Sequence, residues 1–238
     1  KGDIAIGVSR YGCDTWVEPD LFHLDMQAGA PPDDFAVKGQ NWGFPTYNWE
    51  KMAADGFEWW HQRFIQMSNY FDAFRIDHIL GFFRIWSIPT DAVEGIMGHF
   101  VPAIPVRLQE FHDWGIWFNY QRYCKPYIND AILWELFGPN KDKFQPYLVA
   151  TVDGHYHLKA DFATQRQVEN YFAAQEQTEE NLNIKQGLFD LISNVILFEH
   201  ADSNGEAFHF RIAMDTTPSF RHLEYGTQQR LKELYIDY

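Results

Sequence analysis

The chain has 238 residues, 46% of them hydrophobic and 18% aromatic, with a formal net charge of −14. This is enough material for a substantial core in one large or two modest domains, and it argues against a disordered or membrane-embedded class. The acidic balance argues against nucleic acid, which proteins hold by placing Lys and Arg on phosphates, and no apolar run is long enough to span a bilayer.

No basic, apolar leader opens the sequence. Lys1 stands directly before a strand-like run, so the chain is expected to be a piece of something longer. Cys13 and Cys124 are the only cysteines and lie far apart; two isolated thiols fit a reducing, cytoplasmic compartment. The ten His show no HxxxH spacing and no CxxC is present, so neither a metal nor another cofactor is expected.

Residues 3–8 alternate, with Ile4, Ile6 and Val8 on one face and Asp3, Ala5 and Gly7 on the other, which predicts a strand. From Trp16 to Asn48 periodicity gives way to Gly, Pro, Asp and Asn, and a loop this long in a compact domain serves as a lid or binding loop. Trp16, Trp42, Trp49, Trp59 and Trp60 fall near these polar, glycine-rich stretches. Such rings pack on the apolar face of a sugar or, alternatively, fill a core. Residues 47–69 carry Trp49, Met52, Phe57, Trp60 and Phe64 near the helical period and predict one helix.

Residues 71–77 read as a buried strand that places Arg75 and Asp77 on a shared face. A guanidinium beside a carboxylate favours the ionised form, which suits a carboxylate nucleophile at a strand end. The same pair serves equally as a salt bridge that orients a loop. Strand, loop, helix, strand is the order of a parallel βα unit, and in a (β/α)8 barrel catalytic groups gather at the C-terminal ends of the strands.

Past Pro89 the pattern changes. Segments 91–99, 119–137, 163–176, 179–199 and 216–236 read as helices, with loops at 101–106 and 138–145. Two short strands, 147–152 and 155–159, flank Asp153-Gly154, a hairpin signal, and Ala207–Ile212 alternates. The expected organisation is α/β: a partial barrel over 1–90, followed by a mainly helical insertion over 91–238.

Several motifs now line up in order: Gly2-Asp-Ile-Ala-Ile-Gly-Val-Ser9, Asp14-Thr-Trp16, Ala28-Gly-Ala-Pro-Pro-Asp33, Gly39-Gln-Asn-Trp-Gly-Phe-Pro45, Arg75-Ile-Asp-His78 with Gly81-Phe82, and Trp86-Ser-Ile-Pro89. Together they resemble the amylomaltase family of 4-α-glucanotransferases, glycoside hydrolase family 77, in its larger cytosolic type. The resemblance implies a (β/α)8 fold and no cofactor. It implies glycosyl transfer from maltose or malto-oligosaccharides to glucose or a glucan, with α-glucan hydrolysis or silent glucan binding as alternatives. It further implies Asp77 as nucleophile with Arg75 as its partner, Asp3 on the bound sugar, Asp33, Gln40 and Trp42 in a loop over the glucan, and His78 in a supporting or substrate-contacting role. The family's acid/base Glu and its second Asp belong to later barrel strands and match nothing here.

Overall fold

The computed structural model describes all residues 1–238, with a mixed α/β content. The chain divides into two compact units, one of residues 1–90 with 100–102, the other of residues 91–99 with 103–238. No helix is long and apolar enough to cross a membrane.

The first unit opens with β1 (Gly2–Ile4), followed by α1 (Cys13–Val17) and β2 (Phe22–His23). β3 (Met26–Ala30), β4 (Gln40–Asn41) and β5 (Thr46–Tyr47) come next, then α2 (Trp49–Ala54), α3 (Glu58–Ser68) and β6 (Phe74–Ile76). β7 (Ile85–Pro89) and β8 (His99–Val101) complete it, in a sheet of order β4-β3-β7-β8. β1 and β6 form a separate two-stranded parallel sheet in which Asp3 lies opposite Arg75. The predicted alternation holds: Ile4, Ile6 and Val8 are all buried, although only Asp3 and Ile4 of the run, with Gly2 before it, pair as a strand.

The strand at β6 is shorter than expected and is not buried. Phe74 is half-buried, while Arg75, Ile76 and Asp77 are exposed, because the two-stranded sheet leaves both outer edges unpaired. The single helix expected over 47–69 is two helices. Gly56 (φ 74°) and Phe57 (φ 61°) both take the left-handed conformation, and the Asp55 carboxylate accepts from the Glu58 N–H at 3.1 Å to start α3. Between them, Trp49, Trp59 and Trp60 pack with Phe22, Tyr47 and Phe82 as an aromatic core. These three indoles are therefore fold residues, and burial raises the Tyr47 phenol well above its usual range.

The second unit contains β9 (Val106–Arg107), α4 (Leu108–Asp113), α5 (Tyr120–Cys124), β10 (Ile128–Asn129) and α6 (Asp130–Phe137). After 3-10 turns over 138–147 come β11 (Leu148–Ala150), β12 (His155–Leu158), α7 (Gln165–Ala173) and α8 (Glu179–Ile192). β13 (Leu197–Glu199), β14 (Ala207–Phe210), α9 (Pro218–Arg221) and α10 (Tyr225–Asp237) end the chain. The hairpin at Asp153-Gly154 forms with Gly154 at φ 82°. Four expected helices differ. Residues 216–236 split at 222–224 into α9 and α10. Residues 119–137 break at Pro126, and Asn129 caps a new helix by accepting from the Ile132 N–H at 2.9 Å. Residues 179–199 stop being helical at Ile192 and finish as β13, and 91–99 holds only a short 3-10 turn at Gly95–Met97.

Three imidazoles meet in this unit. His209 on β14 is 1% exposed; its Nε2 lies 2.9 Å from His200 Nδ1, and its Nδ1 lies 2.9 Å from the Tyr238 hydroxyl. The His99 ring stacks on it at 4.3 Å. Burial, aided by the neighbouring imidazoles, pushes His99 down to about 4 and His209 to about 3. Both folded values lie below the unfolded one near 6.5, so the unfolded chain takes up protons first. Their contribution to stability is present above pH 6.5 and is lost as the pH drops towards 4, by on the order of 3 kcal/mol for His99 alone. Thermal melts from pH 7.5 to 5 (on the order of one His titration range) should show this loss, and His99→Phe should flatten the slope.

Candidate active site

β6 delivers Asp77 by extending the parallel ladder one step: the Asp77 N–H donates to the Ile4 carbonyl at 2.9 Å. The carboxylate that follows is exposed and bonded to no protein group. The chain then reverses at His78, which sits in the left-handed region (φ 50°, ψ 52°). That conformation is uncommon outside glycine and is held here by its surroundings. Gly81 provides the space: a Cβ there would stand 2.6 Å from the His78 ring and 2.9 Å from Ile6 and Ile85.

Arg75 does not turn to Asp77. Its Nε lies 3.0 Å from Asp3 Oδ1 and its Nη2 donates to Asp3 Oδ2 at 3.3 Å, the two residues being directly opposite across the parallel pair. The pair is more than half exposed, so it adds little stability and acts mainly to orient both side chains at the strand ends.

The glycine-rich loop reaches the same place from the other side. The Trp42 indole meets His78 edge-on at 5.1 Å and stacks on Phe44 at 5.8 Å, and its Nε1–H donates to Gln40 Oε1 at 3.0 Å. Gln40, Trp42 and His78 thus form one cluster, and Asp3 and Arg75 another, with Asp77 on the backbone between them. Asp33 stays apart, its carboxylate accepting from the Phe35 and Ala36 N–H groups at 2.8 and 2.6 Å as a turn cap.

Two positioning groups escaped the sequence reading. Arg10 clamps three backbone carbonyls, donating to Leu24 and Met26 at 2.6 and 2.5 Å and to Gly43 at 3.1 Å, and so ties the loop to β3. Phe44 fills the space left by Gly7, where a Cβ would lie 2.0 Å from its ring. No sequence signal marks Arg10, since its partners are carbonyls brought together only by the fold. For Phe44, the glycine at position 7 in an otherwise strand-like run was a usable hint.

The family model described as 4-alpha-glucanotransferase, glycoside hydrolase family 77, matches residues 1–186. The chain belongs to the 4-alpha-glucanotransferase family. Among its relatives, 4-alpha-glucanotransferase DPE2 of Oryza sativa subsp. japonica is 40% identical over 247 residues, covering 100% of this chain and 26% of the rice protein. The 4-alpha-glucanotransferase of Chlamydia pneumoniae is 39% identical over 105 residues, 44% of this chain and 19% of the bacterial protein. The chain therefore spans about a quarter of the length of the rice 4-alpha-glucanotransferase and about a fifth of the chlamydial one. A crystal structure of amylomaltase from Corynebacterium glutamicum is similar over 41% of this chain and 14% of its own, with 28% identity and a TM-score of 0.39.

Proposed function

We propose that this chain carries the nucleophile of a 4-α-glucanotransferase that moves α-1,4-linked glucosyl units from maltose or malto-oligosaccharides to glucose or glucan acceptors. The observation that carries the reading is Asp77, an exposed and unpartnered carboxylate at a parallel strand end, flanked by the Trp42–His78 aromatic contact and the Arg75–Asp3 pair. β1 and β6 are read as neighbouring strands of a (β/α)8 barrel; their parallel pairing and the placement of Asp77 at a C-terminal strand end support this. Residues 1–90 are read as barrel and 91–238 as an insertion. The split of the chain into two compact units near residue 90 supports that division.

In the first step an Asp77 oxygen attacks the anomeric carbon, the C1–O bond to the leaving sugar breaks, and an acid gives that oxygen its proton. In the second, an acceptor hydroxyl attacks C1, the same group now takes the hydroxyl proton, and Asp77 leaves. Such an acid/base carboxyl stands about 5–5.5 Å from the nucleophile, and the family resemblance assigns it to a later barrel strand. Asp3 and Arg75 hold the sugar at the cleavage point, Trp42 stacks on its apolar face with Gln40 on a hydroxyl, and His78 contacts the same sugar. Asp33 shapes the loop that excludes water, which favours transfer over hydrolysis. The free thiols of Cys13 and Cys124 support a cytoplasmic setting.

Product analysis tests the proposal. The full-length protein incubated with maltotriose should give a ladder of longer and shorter oligosaccharides at a constant number of reducing ends. A rising count of reducing ends without longer products would replace transfer by hydrolysis.

A further inference from the structure

The second unit holds a cleft of about 260 Å³ between α6, the 3-10 segment after it and α8. Its floor is apolar. Phe137 and Phe144 stack there at 3.7 Å with their planes 17° apart, and Ile184 closes the side. The close approach of these rings to α8 is made possible by Gly187, where a Cβ would stand 2.4 Å from Phe144 and 2.8 Å from Phe137. A glycine inside a helix costs roughly 1 kcal/mol relative to alanine. The two rings occupy the room its missing side chain leaves, which fixes the shape of the floor.

The rim is polar and neutral as a whole. Lys143 and Glu180 pair across it at 2.7 Å, and the side-chain amides of Asn140 and Asn183 bond to no other protein group. A ligand ion of either sign would have to break the Lys143–Glu180 pair to find a counter-charge. A neutral polyhydroxylated ring would not. Its C–H face suits the part-exposed Phe137 ring, which the buried Phe144 backs, and its hydroxyls suit two amides that both donate and accept, beside an ammonium and a carboxylate. The volume lies just under the usual range for small-molecule sites, which fits a ligand of one or two sugar rings.

We propose that this cleft is a second carbohydrate site that takes the end of a short α-glucan apart from the bond-exchange chemistry at Asp77. The proposal rests on the glucanotransferase reading only for the identity of the glucan.

Hydrogen–deuterium exchange on the full-length protein tests it with a local readout. Millimolar maltotriose should slow exchange in residues 136–144 and 180–187. The double variant N140A/N183A should raise the concentration needed for half-protection by about tenfold, the effect of two lost hydrogen bonds. It should leave the initial rate of transfer from maltose unchanged. Exchange in these two segments that does not respond to maltotriose overturns the proposal, as does protection that survives the double variant. Absence of transfer in the product assay overturns the catalytic reading instead, and the local protection still decides whether the cleft binds a glucan.

Discussion

Asp77→Asn should lower glycosyl transfer by the full-length protein by roughly 10⁴- to 10⁶-fold, the scale on which enzymes lose rate when a covalent nucleophile is removed. The amide keeps the size and shape of the carboxylate but is a far weaker nucleophile, so no glucosyl-enzyme should appear by mass spectrometry after an acid quench during turnover. Stability should not move. The carboxylate is exposed and bonded to no protein group, while the backbone N–H that ties residue 77 to Ile4 is retained in the variant. An unchanged melting temperature with lost transfer separates a chemical role from a structural one. Near-normal transfer would remove Asp77 from the mechanism. Arg75 behaves differently, because its guanidinium sits on Asp3. Arg75→Ala should free the Asp3 side chain and weaken sugar binding more than it changes the chemistry at Asp77. The kinetic signature is a raised KM with a smaller change in kcat.

What could be read from the residues follows from how local each signal is. The inward face of Ile4, Ile6 and Val8 was legible because strand alternation depends only on period, and the Asp153-Gly154 turn because its chemistry is contained in two residues. The break at 55–57 had a local signal too, an Asp-Gly pair with Glu58 three residues after Asp55, but the helical spacing of Trp49, Met52 and Trp60 masked it. Pro126 and Asn129 likewise marked the interruption of 119–137.

The partner of Arg75 was not legible. Two residues along the same strand looked close enough to pair, yet the parallel register puts Asp3, distant in sequence, directly opposite, and register is a property of two segments together. The same holds for the indoles. Composition put Trp49, Trp59 and Trp60 in one group with Trp42, and only packing separates the aromatic core from the Trp42–His78 contact. The motif order from Gly2 to Pro89 was the strongest sequence signal, since it combines several short segments that periodicity treats separately.

The close approach of β3 to β4 gives the second large expected effect, from a residue outside the proposed sugar contacts. A Cβ on Gly29 would stand 2.1 Å from the Gln40 carbonyl oxygen, 3.1 Å from its carbon and 2.6 Å from the tip of Ile88. Ile88 can rotate, but the Gln40 backbone cannot yield without moving β4, which carries Gln40 and leads into Trp42. The loop has little slack, because Trp42 N–H donates to Ala28 O at 3.0 Å, Ala28 N–H donates to Phe44 O at 2.9 Å, and Arg10 holds Gly43. Gly29→Ala should therefore shift the Gln40–Trp42 platform away from His78 by about 1 Å, a displacement that can cost roughly 10²-fold in kcat/KM. Overpacking should also remove about 1–3 kcal/mol of stability. Gly43→Ala is the matched control: at φ 79° and with nothing within 4 Å it meets only backbone strain. It should lose about 1 kcal/mol of stability with far less effect on transfer. Steady-state kinetics with maltotriose and thermal melts on the two variants distinguish the cases. Equal losses of activity would mean that the loop responds to strain in general, and a silent Gly29→Ala would mean that the position of β4 does not govern the site.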